Sequence, residues 1–298
     1  MKFAGLSAFP LVPMAGERID IDAVARLVAR AAGAGVDCLG VLGSTGNYAY
    51  LDPGERREVL AASISAAQGT PVLAGVGALR TRDVLRHVAD AQAAGAQGLL
   101  LAPVSYQKLT DQEVFDLYRT VSQTSDLPVI VYDNPGTTGF SFSDELHGRI
   151  AGLEGISGVK IPPPAADGAH RRIAELRRVV PGGYGVGISG DWMAAEGLGA
   201  GCDTWYSVIA GVLPGTALRI TRAAQAGGHA GARDLSRRLE PLWDLFRSLG
   251  SLRVVSALAE ELGLVSAPSL PLPLQGIPGA ARQRLREFLA AARLEDDV

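Results

Sequence analysis

Lysine is scarce in this chain: Lys2, Lys108 and Lys160 are its only three among 28 basic residues, and the other 25 are arginine. Cysteine is scarcer still, and Cys38 and Cys202 both sit in apolar runs, which excludes a disulfide framework and points to a reducing, cytoplasmic setting. No stretch approaches the roughly 18 consecutive apolar residues of a membrane span. Residues 1–10 lack the basic start and long apolar stretch of a secretory signal. The net charge is −3 and no long basic block occurs, so nucleic acid is excluded as a partner. The four histidines, His87, His147, His170 and His229, are scattered, with neither an HExxH motif nor paired-ligand spacing. No metal is expected, and these histidines read as ordinary surface or helix residues.

What is present is an alternation. With 298 residues, 47% of them hydrophobic, a mean hydropathy of +0.17 and 37 glycines, the chain can build one large core with many short turns. Short apolar blocks at 6–10, 38–42, 71–75, 98–102, 128–132, 155–160, 183–188 and 203–208 read as strands buried on both faces. Amphipathic stretches such as 22–32, 53–68, 81–94 and 111–124 read as the helices between them. Glycines at 33–35, 95 and 199–201 close helices and lead into strands. Eight such units predict an α/β protein, a (β/α)8 TIM barrel. The barrel is assigned to residues 1–226 and carries the active site. Residues 227–298 break the alternation, with helical patterns at 230–249, 252–262 and 277–292 and a proline-rich connector at 267–273. They predict a C-terminal helical appendage, packed on the barrel or on a neighbouring subunit in a structural role.

Active sites of such barrels lie at the C-terminal ends of the strands. Three tips stand out there. Gly43-Ser44-Thr45-Gly46-Asn47, after the second strand, pairs two hydroxyls with exposed backbone N–H groups, an inventory for binding a small anion; the plain alternative is a Gly/Ser/Thr turn. Tyr132-Asp133-Asn134-Pro135 ends the fifth strand, where a phenol can pass protons or simply pack as a core aromatic. Lys160 ends the sixth, an apolar strand followed by Ile161 and three prolines. An amine in such surroundings is desolvated, which disfavours its charged form and prepares it to attack a ketone, as an arginine cannot. Its alternative is a lysine snorkelling from a strand end. Together the three tips supply an anion pocket, a proton carrier and a nucleophilic amine. Gly185-Val186-Gly187-Ile188-Ser189-Gly190 matches G-x-G-x-x-G but follows the seventh strand, where it is a weak signal for a dinucleotide and could at most shape a phosphate site.

These motifs resemble those of the dihydrodipicolinate synthase / N-acetylneuraminate lyase family over nearly the whole chain, with the signature regions at 43–55 and 132–160. The resemblance implies that Lys160 forms a Schiff base with pyruvate, Tyr132 relays protons, and Ser44 and Thr45 hold the pyruvate carboxylate and join the relay. It implies a homotetramer, a dimer of dimers, with no metal or organic cofactor. Several positions depart from the family pattern. Asn47 stands where the glycine-flanked loop normally ends in glutamate. Thr137 replaces the arginine that, in the synthases, binds the carboxylate of aspartate semialdehyde. Ser105 or its neighbour Tyr106 stands where the synthases place a tyrosine shared between subunits, Ser105 being the nearer equivalent. Ser189-Gly190-Asp191 is similar to the sialic acid lyases, yet Trp192 and Pro162 stand where those lyases use polar residues. These departures imply an activity other than dihydrodipicolinate synthesis.

The expected function is therefore a class I aldolase or lyase acting on pyruvate or a pyruvate-derived 2-keto acid. Lys160, Tyr132 and Ser44 are the catalytic residues. Thr45, Gly46, Asn134, Thr137, Thr138, Asp191 and Tyr206 contact substrate, whose second half is an aldehyde or polyol. A sugar-acid dehydratase using the same imine and a non-catalytic keto-acid-binding protein are the rival readings, and a metal-dependent barrel enzyme is a weaker third.

Overall fold

The computed structural model describes residues 3–165 and 167–292; Lys2 and the last six residues of the tail lie outside them. Eight parallel strands close into a barrel: β1 (Gly5–Ala8), β4 (Cys38–Val41), β5 (Val72–Gly75), β6 (Gly98–Leu101), β7 (Val129–Tyr132), β8 (Ile156–Ile161), β9 (Gly185–Ile188) and β10 (Thr204–Ser207), with β1 paired to both β4 and β10. A small antiparallel hairpin, β2 (Met14–Ala15) and β3 (Arg18–Ile19), follows β1. It is too short for an alternation pattern to announce it.

The helices of the outer layer are α1 (Ile21–Gly33), α2 (Pro53–Ala66), α3 (Thr81–Ala94), α4 (Asp111–Ser122), the short α5 (Pro135–Thr138), α6 (Asp144–Ala151), α7 (Ala169–Val179), α8 (Ala194–Gly199) and α9 (Pro214–Gln225). Their starts are written locally. Asp52 and Glu55 cap α2 reciprocally, and Thr110 and Glu113 do the same for α4. At the end of α3, Gly95 takes φ +89°, a backbone geometry only glycine adopts cheaply.

Two apolar layers result. Outside the strands, Leu6, Leu39, Leu99, Val159, Val186 and Trp205 meet the helices in one continuous core. Inside, Phe3, Phe9, Cys38, Leu73, Leu100, Ile130, Tyr132 and Tyr206 fill the lumen. Cys38 and Cys202 are both free and buried.

The tail forms α10 (His229–Arg237), α11 (Glu240–Leu249), α12 (Ser251–Glu261) and α13 (Gly279–Ala291). The sequence pattern predicted one helix over 230–249. Instead it breaks at Arg238–Leu239, where Pro241 in the first turn of α11 has no N–H to continue a helical ladder. Leu242, Trp243, Phe246, Val254 and Leu258 belong to the same core as the barrel's outer layer. No helix among the described residues is long and apolar enough to cross a membrane.

Candidate active site

The loop after β4 makes a sharp elbow. Leu42 takes φ +58°, an uncommon conformation for a residue with a Cβ. Its carbonyl lies so close to Gly75 that a Cβ there would sit 1.9 Å from the oxygen, so glycine at that position leaves room for the bend. The chain then coils through a 3-10 turn, Ser44–Gly46, and Asn47 leaves it at φ +53°. Asparagine tolerates that geometry, and its buried amide donates to the Val12 carbonyl at 2.9 Å. The elbow aims Ser44 and Thr45 at the barrel mouth.

Tyr132 is the last residue of β7 and Lys160 the last but one of β8, and the two are register partners across the strands. Both side chains therefore lie on the lumen side, and both are buried, at 4% and 6% exposure. Lys160 Nζ lies 4.5 Å from the centre of the Tyr132 ring. The Tyr132 hydroxyl shares a 2.9 Å hydrogen bond with Ser44 Oγ and a longer one, 3.4 Å, with Thr137 Oγ1, and accepts from Asn134 Nδ2 at 3.3 Å. Burial pushes the phenol pKa up, but the Lys160 charge and the hydrogen bonds from Ser44, Thr137 and Asn134 outweigh it, and the net shift is downward. A phenol so placed gives up its proton more readily than an ordinary tyrosine.

These groups face a cavity of about 390 Å³, also lined by Phe9, Thr45, Pro163, Ser189, Trp192 and Tyr206. Phe9 and Tyr206 meet edge to face with centroids 6.0 Å apart. Glycines make room for both rings: a Cβ on Gly40 would lie 2.2 Å from the Phe9 ring, and one on Gly187 would lie 2.3 Å from Tyr206. Gly187 of the G-x-G-x-x-G stretch thus serves ring packing. Gly190 in the same stretch, at φ +80°, lets Pro163 approach.

Of the ten residues expected at the site, eight (Lys160, Tyr132, Ser44, Thr45, Asn134, Thr137, Asp191 and Tyr206) line the cavity. Gly46 and Thr138 lie outside it. Gly46 is not in the lining; its N–H closes the 3-10 turn on the Gly43 carbonyl at 2.9 Å. Thr138 is not in the lining either, because its hydroxyl bonds the Asn134 carbonyl at 3.1 Å and accepts from the Phe140 N–H at 3.3 Å, shaping the turn around α5. Asp191 borders the cavity, but its carboxylate is already engaged. Trp205 Nε1 donates to one oxygen at 2.8 Å, and the Val208 and Ile209 N–H groups donate at 3.2 Å. Burial pushes its pKa up to about 6 against those hydrogen bonds. It fastens β10 to the loop after β9, and a substrate hydroxyl would have to displace these donors.

The sequence pattern missed Phe9, which follows the first strand without any motif, and the Gly250, Ser251 and Leu252 contribution from the tail. The start of α12 packs against the Ser44–Gly46 turn, so the helical extension helps wall the cavity as well as buttress the barrel. His147 and His87 are not surface residues; both are buried in the helix layer. Among the described residues no group of three metal-ligating side chains converges.

The model of the dihydrodipicolinate synthetase family matches residues 2–292. A 4-hydroxy-tetrahydrodipicolinate synthase of Methylococcus capsulatus is 35% identical over 277 residues, covering 92% of this chain and 93% of that protein. The crystal structure of a dihydrodipicolinate synthase from Agrobacterium tumefaciens superposes with a TM-score of 0.94 at 45% identity, over 97% of this chain and 98% of that one. The Acinetobacter baumannii dihydrodipicolinate synthase, crystallised with pyruvate, gives 0.90 at 25% identity over the whole of both chains.

Proposed function

The chain belongs to the dihydrodipicolinate synthetase family, whose members are class I lyases, and on that premise we propose that Lys160 forms a Schiff base with pyruvate or a pyruvate-derived 2-keto acid, next to which a carbon–carbon bond is made or broken. The observation that carries this reading is the meeting of three groups from three strand ends: a buried amine, a phenol 4.5 Å from it by its ring centre, and a serine hydroxyl 2.9 Å from that phenol. The Acinetobacter relative's complex with pyruvate supports the same substrate.

The steps follow from the geometry. Thr45 and Ser44 hold the carboxylate of the keto acid. The unprotonated Lys160 nitrogen adds to C2, the carbonyl oxygen takes the Tyr132 proton, and the phenolate takes back a proton from nitrogen, leaving a carbinolamine. Tyr132 then protonates the hydroxyl; water departs as the nitrogen lone pair closes the iminium. Removal of a C3 proton by the phenolate gives an enamine, which adds to an aldehyde as Tyr132 protonates the aldehyde oxygen, and water hydrolyses the resulting iminium to free Lys160; the same steps reversed cleave the bond. Ser44 steadies the phenolate whenever it forms. The test is borohydride reduction in the presence of pyruvate, read by mass. Wild type gains a pyruvyl adduct and Lys160→Ala gains none, with activity lower by at least about 4 kcal/mol of barrier, roughly a thousand-fold. A wild-type protein without adduct would sink the reading.

The second substrate is read as something other than aspartate semialdehyde. The cavity lining has no arginine, and Lys160 is its only cationic side chain. At 137 a threonine Oγ1 lies against Tyr132. Once Lys160 is bonded to a keto acid, its iminium charge is matched by that acid's own carboxylate. A second buried carboxylate would then stand without a partner, a cost of several kcal/mol. An uncharged aldehyde or polyol fits the remaining wall of Pro163, Trp192 and Tyr206.

The chain is also read as a homotetramer. Tyr50, Leu79 and Tyr106 are exposed, Tyr106 at 92%, on the loops that follow the adjacent strands β4, β5 and β6, where a second copy could cover them. Light scattering at micromolar concentration tests this, and a monomer there would reject it.

A further inference from the structure

Behind the relay tyrosine lies a pair of buried titratable side chains that the imine chemistry does not use. Asp133 follows Tyr132 at the end of β7. Strand alternation turns its carboxylate away from the lumen and into the helix layer. There Asp133 Oδ2 lies 3.1 Å from Nε2 of His147 on α6, and the two are 5% and 0% exposed. The imidazole stacks on Phe142 at 5.0 Å between centroids and 19° between planes. Phe142 in turn meets Phe140 and Tyr118 edge-on, so the imidazole is held by packing as well as by its hydrogen bond.

Two further observations connect this pair to the site. The Asp133 N–H donates to the Lys160 carbonyl at 3.0 Å, so one residue joins the relay strand, the nucleophile's strand and α6. Two of the three hydrogen bonds that the phenol makes are long, at 3.3 and 3.4 Å, so they fix it only loosely. Its placement therefore depends on the backbone behind it. Asp133 Oδ1 and His147 Nδ1 have no hydrogen-bond partner among the described residues. A buried polar pair left partly unsatisfied is poor value for stability alone, and apolar residues of the same shape would often serve as well or better.

We propose that Asp133 and His147 are a positioning dyad that fixes the tip of β7, and through it the Tyr132 phenol, in the place imine formation requires. The proposal rests on the imine reading above. It assigns neither residue any contact with substrate.

The experiment compares wild type, His147→Ala, His147→Leu and His147→Gln by rapid mixing with pyruvate, with thermal melts alongside. The readouts are the rate of imine formation and the KM for pyruvate. The glutamine amide can still donate to Asp133; the alanine and leucine side chains cannot. His147→Ala and His147→Leu should form the imine about tenfold more slowly at nearly unchanged KM, the scale of one hydrogen bond's orientation. His147→Gln should recover most of the rate. Leucine, being apolar and of similar bulk, keeps the test open should alanine not fold. A folded His147→Leu protein with the wild-type rate overturns the proposal, and so does a glutamine variant as slow as leucine. Absence of any adduct in wild type overturns the imine reading and this proposal with it, and is distinguished by the wild-type measurement alone.

Discussion

Tyr132 and Lys160 stand side by side as register partners on adjacent parallel strands, and the lysine nitrogen lies over the tyrosine ring at 4.5 Å from its centre. Parallel pairing sends both side chains into the same lumen at the same height. Their Cα atoms cannot part without breaking the barrel's hydrogen-bond ladder. The backbone positions that bear the phenol and the amine are thus fixed relative to each other by the sheet, and the loop bearing Ser44 brings a hydroxyl to them.

From that arrangement, Tyr132→Phe should keep the fold, since the ring stays and only the hydroxyl leaves. Its hydrogen bonds to Ser44, Thr137 and Asn134 are lost with it. Turnover should fall by about 10² to 10⁴, the usual weight of a positioned proton carrier, while pyruvate still protects against heat. Rapid-mixing measurement of imine formation checks this; a wild-type rate in Tyr132→Phe would remove the phenol from the mechanism.

Thr137→Arg bears on the second substrate. An arginine at this rim position, beside the Tyr132 hydroxyl, gives a second carboxylate the bidentate partner the cavity lacks. Relative kcat/KM for a carboxylate-bearing aldehyde over an uncharged one should rise by about a hundred-fold, the scale of one charge-assisted pair. Should wild type already prefer the carboxylated aldehyde in a side-by-side assay, the uncharged second half is wrong.

Asp191 predicts a pH dependence of stability. Burial raises its folded pKa to about 6, against 3.8 for the ordinary group. Between those values the folded state binds more protons than the unfolded chain, so this residue's contribution to stability falls as pH rises through the window and is constant above it. The span corresponds to roughly 3 kcal/mol. Asp191→Asn should be less stable than wild type, because its amide cannot accept every donor now held by the carboxylate. The gap should be widest near pH 4 and narrow toward pH 6. Urea melts across that range measure it, and a gap that widens with pH would reverse the assignment.

Barrel architecture was legible because each strand is a short apolar block and several helices carry a local start or stop, as Asp52, Thr110 and Gly95 do. The amine, the phenol and the serine hydroxyl were legible because each lies at or just after the C-terminal end of a strand. Lys160 stood out further, as one of three lysines in a chain that otherwise uses arginine. Asp191 and Thr138 show where such reading fails. A carboxylate or hydroxyl on a rim loop has the composition of a substrate contact, but whether its oxygens are free depends on the backbone groups facing it. For Asp191 these come from Trp205, Val208 and Ile209, which nothing local pairs with it. Phe9 was missed because it belongs to no motif and its place in the lumen depends on glycines at 40 and 43.

The sequence by itself determined the periodicities, the caps and the chemical types available at each strand end, since these rest on interactions within a few residues of one another. It therefore determined a barrel with an amine, a phenol and two hydroxyls on one rim. The tertiary structure alone decided which of those groups remain open to a ligand. It also seated the α11–α12 junction over the mouth and buried His147 against Asp133. Those outcomes join residues far apart in the chain, and only the closed packing of strands and helices settles which donor meets which acceptor.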